Sequence, residues 1–128
     1  MNGQIKQAPK QNATPQQLLD SVVEGMQEKK AKNIVILDML NLKSAPADYF
    51  VICHGESNKQ VEAIARSIDE FVKKNTGEDA LHIEGKENAE WILLDYFNVV
   101  VHVFQHEKRN FFDIEGLWGD ARIRTIED

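Results

Sequence analysis

Two short apolar runs near the end of the chain, residues 91–96 (WILLDY) and 99–104 (VVVHVF), constrain its fold more than any other feature. Both have the apolar and β-branched composition of strands, and only two residues separate them, so they predict the two strands of a hairpin. Successive side chains of a strand point to opposite faces, which places Trp91, Leu93 and Asp95 together on one face. The pattern does not decide which face of the resulting sheet the helices cover.

The rest of the chain alternates between helical and strand-like periodicity. It predicts a helix, two strands, a helix and a strand before the hairpin, and a short aromatic helix after it. The first helix begins with a capping box from Thr14 to Gln17, and the second is capped by Ser57 and ends at Gly77. We therefore expect an α/β (α+β) fold with a mixed sheet of about five strands flanked by helices.

These elements predict a single domain. At 128 residues and 42% hydrophobic content the chain suffices for one core, and it contains no internal repeat. We place the domain at residues 14–120. Residues 1–13, which are rich in Gln and Asn and lack periodicity, are predicted to be a disordered arm, and residues 121–128 a C-terminal tail.

The composition argues against several classes of protein. The longest apolar runs are too short to cross a bilayer, and the first residues lack the features of a secretory signal or a transit peptide. The single cysteine, Cys53, rules out an internal disulfide and suits a reducing cytoplasm, which is the location we expect.

The formal charge of −6 is concentrated in the middle of the chain. Residues 47–95 hold 5 Lys and Arg against 11 Asp and Glu. An acidic surface repels phosphate backbones, so we expect no direct nucleic-acid binding, whereas a basic protein would be attracted. Mild acidity that serves only solubility is the alternative explanation.

The face that carries Trp91, Leu93 and Asp95 is the strongest candidate for a binding surface. A tryptophan, a leucine and a carboxylate together are typical of an interface anchor with a polar partner. The faces with Asp95 and His102 are also the less favourable ones to bury, because an unpaired charge or imidazole in a core is costly. The alternative is that Trp91 fills the core and Asp95 only ends a strand.

Three short patterns suggest enzymes or metal sites, and each has a simpler interpretation. Cys53 and His54 are neighbours on a strand and point to opposite faces, so they cannot readily form a nucleophile–base pair, and Cys53 is expected to be a small core residue. His102 and His106 have i,i+4 spacing, but in a strand pattern, so no metal site is predicted. Gly55-x-Ser57 has the form of a phosphate-binding turn, but Ser57 is better explained as a helix cap.

The closing helix is predicted to pack against the domain. Its apolar residues are more typical of core packing than of a ligand site, and Glu107-Lys108-Arg109 before them is typical of a solvated bend. The apolar residues are Phe111, Phe112, Ile114, Leu117 and Trp118.

An ordered set of motifs over about residues 15–120 resembles the ribosomal silencing factor family, known as RsfS or Iojap. The set is Asp48-Tyr49-Phe50-Val51-Ile52, Gly55-x-Ser57-x-x-x-Val61, Ala63-Ile64-Ala65, Glu84-Gly85, Trp91 through Tyr96, Val99 through Phe104, Glu107-x-Arg109 and Leu117-Trp118.

The resemblance implies a non-enzymatic translation repressor with a nucleotidyltransferase-like fold and no cofactor. Family members bind a basic protein of the large ribosomal subunit, the one numbered fourteen, and block joining of the small subunit when nutrients run short. The residues that the resemblance and the strand pattern assign to this contact are Glu84, Trp91, Leu93, Asp95 and Arg109.

Two alternatives remain beside this hypothesis. The chain could be a degenerate nucleotidyltransferase that binds a nucleotide at Gly55–Ser57, but the Asp-x-Asp pair that such enzymes need for magnesium is absent, since Asp95 is followed by Phe97 two residues on. It could also self-associate through an apolar sheet face, and a homodimer of the free protein is compatible with the silencing hypothesis.

The chain departs from the family at two positions. Where the family usually has Gly-Asp between the hairpin strands, this chain has Phe97-Asn98, and we expect Asn98 to adopt the left-handed conformation. Gly116 stands where the family usually has a basic residue, which weakens the last helix by about 1 kcal/mol.

Overall fold

The computed structural model describes residues 13–127. The expected disordered arm, residues 1–13, lies outside that part of the chain except for Ala13. The helices and strands follow in the order α1 (Pro15–Glu28), β1 (Lys32–Asp38), β2 (Tyr49–Gly55), α2 (Asn58–Thr76), β3 (His82–Glu84), β4 (Trp91–Asp95), β5 (Val99–Gln105), α3 (His106–Phe112), α4 (Ile114–Leu117) and β6 (Arg122–Thr125).

The sheet is mixed and its strand order is β3-β4-β5-β2-β1-β6. β2 and β5 are parallel, whereas the other neighbours are antiparallel. The α/β (α+β) expectation is confirmed, but the sheet has six strands where the sequence predicted about five. The extra strand is β6, within the segment expected to be a tail. Its Arg-Ile-Arg-Thr sequence is exposed and shows no buried alternation, yet it pairs with the edge of β1.

The caps predicted for the two long helices are present. Thr14 and Gln17 form the capping box of α1, and the side chain of Ser57 accepts from the backbone N–H of Gln60 at the start of α2. Gly77 ends α2 at φ +79°, a conformation that glycine adopts without strain. These local signals fix where each helix begins and ends.

Helices α1 and α2 lie together on one face of the sheet. They approach closely at Gly25, where an added Cβ would stand 2.7 Å from the Cα of Ile68, and the hydroxyl of Ser67 donates to the Gly25 carbonyl at 2.8 Å. The main core lies between these helices and the strands, and its fully buried residues on β4 and β5 are Ile92, Leu94, Val99, Val101 and Val103.

The opposite face of the sheet is covered only in part. A second, smaller core lies there under α4 and the segment that follows β1. It consists of Leu37, Met39, Phe50, Ile52, Phe104 and Ile114. At the end of the face formed by β3 and β4, the side chains of Trp91, Leu93 and Asp95 stay only half-buried, and this is the part that concerns function. Within residues 13–127, no helix is long and apolar enough to cross a membrane.

The turn of the hairpin corrects one expectation. Phe97, not Asn98, adopts the left-handed conformation, at φ +76°. The carboxylate of Asp95 accepts from the backbone N–H of Phe97 at 2.8 Å, and the Asn98 carbonyl accepts from the N–H groups of Asp48 and Tyr49. These two sets of hydrogen bonds hold the backbone so that the unfavourable position falls on phenylalanine.

Candidate partner-binding surface

The structure resolves which face of the hairpin is covered. Ile92 and Leu94 are fully buried under the helices, whereas Trp91, Leu93 and Asp95 lie half-buried on the other face. The strand register extends this face to β3, because Glu84 stands opposite Leu93. We call Glu84, Trp91, Leu93 and Asp95 the candidate surface. Four of the five residues predicted as partner contacts thus lie together.

The ring of Trp91 is held on three sides. It packs against Phe104 and Phe112, with ring centroids 4.9 and 4.7 Å away, and its indole N–H donates to Nδ1 of His102 at 3.1 Å. The indole therefore has both its apolar and its polar requirements met inside the chain. Trp91 packs onto the smaller core, as the alternative explanation required, and still remains partly exposed, so that its ring is accessible to a partner.

The acidic side of the candidate surface contains a histidine that the sequence reasoning missed. Nε2 of His82 lies 3.0 Å from Oε2 of Glu84, and its Nδ1 lies 3.9 Å from Oδ2 of Asp95. The side chains of His82 and Glu84 are 51% and 67% exposed, so both can meet a partner. The i,i+2 spacing of His82 and Glu84 in a short strand was the signal that could have placed the imidazole beside the carboxylate.

A groove of about 470 Å³ runs beside the candidate surface. It separates the hairpin from the segment 45–48, and Leu93 and Asp95 belong to its lining. Its lining includes apolar residues, the buried His102 and the two acidic residues Asp48 and Asp95. The arrangement suits an occupant that is partly apolar and positively charged.

The structure does not support Arg109 as a partner contact. It is buried, with 7% of its surface exposed, and its guanidinium bonds Glu115 at 2.7 Å, the Asn33 carbonyl at 2.8 Å and Nδ1 of His54 at 3.0 Å. Asn33 lies in an irregular part of β1, at φ +50°, where the pairing with β2 shifts register. Arg109 therefore fastens α3 to the sheet, and the solvated bend predicted at this position is wrong.

The closing helix departs from its expected role in a second way. Ile114 is buried and Trp118 packs on Phe50 with ring centroids 6.4 Å apart, so the packing expected of these two is confirmed. Phe111 and Leu117, however, are 78% and 74% exposed, because the helix breaks at Asp113 and α4 starts in a new direction. Core packing was the wrong prediction for these two side chains.

Cys53 and His54 do not form a catalytic pair. Cys53 is fully buried in the main core and burial raises the pKa of its thiol to about 12, so the core role predicted for it is confirmed. His54 lies on the opposite face of β2, where burial and then the charge of Arg109 lower its pKa to about 4. The two side chains point away from each other, as the strand geometry requires.

His54, Glu56 and His106 stand close enough to hold a metal ion, but their surroundings oppose one. The guanidinium of Arg109 donates to Nδ1 of His54, so the neutral imidazole carries its proton on Nε2, the atom that faces Glu56. A metal at Nε2 would have to displace that proton beside a fixed cation. The cluster is better explained as the packing that encloses Arg109.

The turn at Gly55–Ser57 offers little to a phosphate. Ser57 accepts from the backbone N–H of Gln60 at 3.1 Å, and the Gln60 side chain accepts from the N–H of Glu56 at 2.8 Å. Donors that a phosphate would use are thus already paired within the chain. The interpretation of Ser57 as a helix cap is confirmed.

Comparison with known proteins supplies the family. Residues 12–128 match the family described as "Ribosomal silencing factor during starvation". The chain belongs to that family. It is 44% identical, over 88% of its length and 94% of the relative, to "Ribosomal silencing factor RsfS" of Halalkalibacterium halodurans. A crystal structure of a protein from Chromobacterium violaceum shares the fold at a TM-score of 0.78 and 36% identity, covering 84% of this chain and 88% of that one.

A more distant relative of this chain is a mouse protein named "Mitochondrial assembly of ribosomal large subunit protein 1". It is 26% identical over 86% of the chain, which spans 47% of the mouse protein. The motifs that led from the sequence to the silencing factors therefore pointed to the right family.

Proposed function

We propose that this ribosomal silencing factor, a translation regulator that associates with the ribosome, binds the basic protein numbered fourteen of the large subunit. Glu84, Trp91, Leu93 and Asp95 make the contact, and the bound factor blocks joining of the small subunit when nutrients run short. The observation that carries this proposal is a half-buried tryptophan, fixed by three neighbours, on the same sheet face as two carboxylates.

The physical properties of this surface suit tight binding to a basic protein. Tryptophan is enriched among residues that dominate interface energies, and a ring already held in one position loses little conformational entropy when a partner packs on it. Glu84 and Asp95 attract Lys and Arg and speed the encounter with a positively charged surface. The 11 acidic residues between positions 47 and 95 extend that attraction beyond the contact itself.

Co-sedimentation with purified large subunits tests the proposed contact. We expect Trp91→Ala to weaken binding by about 30-fold, the effect of losing an aromatic hot spot of about 2 kcal/mol. Leu117→Ala is the matched control, because Leu117 is 74% exposed and lies outside the candidate surface. Circular dichroism of each variant would show that the fold is retained. Equal binding by both variants and the unaltered protein would remove this face from consideration.

The acidic half of the surface is tested by Asp95→Asn. Asparagine keeps an oxygen that can accept from the Phe97 backbone N–H, so the turn is preserved while the charge is removed. We expect about a fivefold loss of affinity at low salt and a smaller loss at high salt, because screening weakens the charge contact in both proteins. A salt-independent loss would argue for a change of shape instead.

The effect on translation is a separate question with its own measurement. Sucrose gradients of mixed subunits should show fewer joined ribosomes when the factor is present, and the Trp91→Ala variant should restore joining. Binding without an effect on joining would leave the contact in place and contradict the silencing step.

Self-association of the free protein stays a prediction. Phe111 and Leu117 add exposed apolar surface near the partly covered sheet face. Sedimentation velocity of the isolated protein over a range of concentrations would show whether a homodimer forms. Competition between that dimer and large subunits would reveal whether the two contacts share a face.

A further inference from the structure

The buried imidazole of His102 is more than a neighbour of Trp91. Only 3% of its surface is exposed, and Phe50 packs against its ring with centroids 4.5 Å apart. Nδ1 accepts the indole N–H of Trp91 at 3.1 Å. Nε2 has no hydrogen-bond partner, and among the described residues it is the one buried side-chain polar atom in that condition.

The hydrogen bond to Trp91 determines which nitrogen carries the proton. Burial lowers the pKa of His102 to about 4, so the ring is neutral at neutral pH and holds one proton. An indole nitrogen is a donor only, hence Nδ1 must offer its lone pair and the proton is on Nε2. The chain therefore maintains a buried N–H donor without an acceptor, which native structures rarely tolerate.

This donor lies beside the proposed contact. His102 belongs to the lining of the groove, and the half-buried Leu93 faces it directly across the β4–β5 pair. Because Nε2 is buried, an acceptor seated in the groove reaches it only when a neighbouring side chain moves. Asp48 and Asp95 in the same lining disfavour an anionic acceptor such as a carboxylate and favour a neutral one flanked by positive charge.

We propose that Nε2–H of His102 donates a hydrogen bond to a backbone carbonyl of a basic segment of the partner protein that enters this groove. The inference rests on the proposed function, since the partner is the same large-subunit protein. A Lys or Arg of that segment faces Asp95 or Asp48, while its main chain satisfies the imidazole. The imidazole of His102 thus bonds the indole of Trp91 through one ring nitrogen and a carbonyl of the partner through the other.

Nuclear magnetic resonance of the ¹⁵N-labelled full chain tests the donor directly. The free protein should show the Nε2-protonated tautomer at His102, assigned by the loss of its signal in His102→Gln. Saturation with the isolated large-subunit protein numbered fourteen should move the Hε2 resonance downfield and slow its exchange with water. His106, which stacks on His54 and lies outside the groove lining, is the internal control.

Two variants separate the hydrogen bond from packing. His102→Phe keeps a ring in the same place but removes both nitrogens, and we expect its affinity to fall about fivefold to tenfold. His102→Gln offers both an acceptor for Trp91 and a donor for the partner, so it should stay within about threefold of the unaltered protein.

The outcomes distinguish this inference from the proposal on which it rests. Saturable binding with an unmoved Hε2 resonance would overturn the inference and leave the proposed function standing. Absence of binding by the unaltered protein would overturn both. The resonance measurement uses the unaltered chain, so it remains decisive even if His102→Phe fails to fold.

Discussion

The two faces of the sheet carry different kinds of side chain, although neighbouring residues of the same strands supply both. On the face under α1 and α2, the side chains of β4 and β5 are aliphatic and fully buried, and a sealed hydrophobic core results. On the other face the same strands contribute Trp91, Asp95 and His102, and part of that face stays uncovered. The covered face therefore supplies stability, which allows the open face to keep polar and aromatic groups that favour binding.

The largest expected difference separates two adjacent residues of β4. Ile92→Ala should lower the free energy of unfolding by about 3 kcal/mol, because it leaves a cavity in the sealed core. Leu93→Ala, on the open face, should lower it by less than about 1 kcal/mol, because Leu93 is only half-buried. Urea unfolding of both variants measures this contrast. Equal losses would mean that both faces contribute equally to the core.

Substitution of Arg109 tests how much the contact between α3 and the sheet stabilises the fold. Arg109→Ala should cost about 3 kcal/mol of unfolding free energy, since it leaves Glu115 and two β1 carbonyls without their buried cation. Arg66→Ala is the control, because Arg66 is exposed and its one ion pair within residues 13–127 is with Glu62, at 4.0 Å. That variant should change stability by less than about 0.5 kcal/mol. If Arg109→Ala changed the free energy of unfolding only slightly, Arg109 would again be a candidate contact for the partner.

The open face should also make stability depend on pH. His102 has a pKa of about 4 in the fold, against 6.5 as the ordinary value. Between those values the unfolded chain binds a proton that the folded chain does not, so stability is lost as the pH falls from 6.5 toward 4. His102→Gln should make that slope shallower, measured by urea unfolding at several pH values. His54 contributes in the same direction, which leaves a residual slope in the variant. An unchanged slope would show that His102 is solvated in the folded chain.

The smallest effect concerns the turn that joins the two strands. Phe97→Gly should raise the free energy of unfolding by about 0.5 to 1 kcal/mol, because glycine adopts φ +76° without strain and the lost side chain is 71% exposed. Asn98→Gly should lower it, since Asn98 is not in the left-handed region. Thermal unfolding of the two variants distinguishes them. The opposite ranking would place the strain at Asn98, as the sequence suggested.

Local patterns in the sequence predicted much of the fold correctly. Capping residues marked the starts of α1 and α2, and alternation along β4 placed Trp91, Leu93 and Asp95 on one face. The motifs also led to the right family. Such inferences succeed because caps and strand alternation depend on residues a few positions apart. Strand β6 was missed because its pairing depends on the free edge of β1 and not on its own apolar content.

The sequence by itself determined most of the elements and the residues of one strand face, because short-range geometry fixes them, and its ordered motifs determined the family. Only the tertiary structure decided that this face is the open one, that His102 holds Trp91, and that Arg109 lies inside while Phe111 lies outside. The physical reason is that burial and hydrogen-bond partners come from residues far apart in the chain. His54 and Arg109 are 55 positions apart and meet at 3.0 Å, a contact that no local pattern encodes.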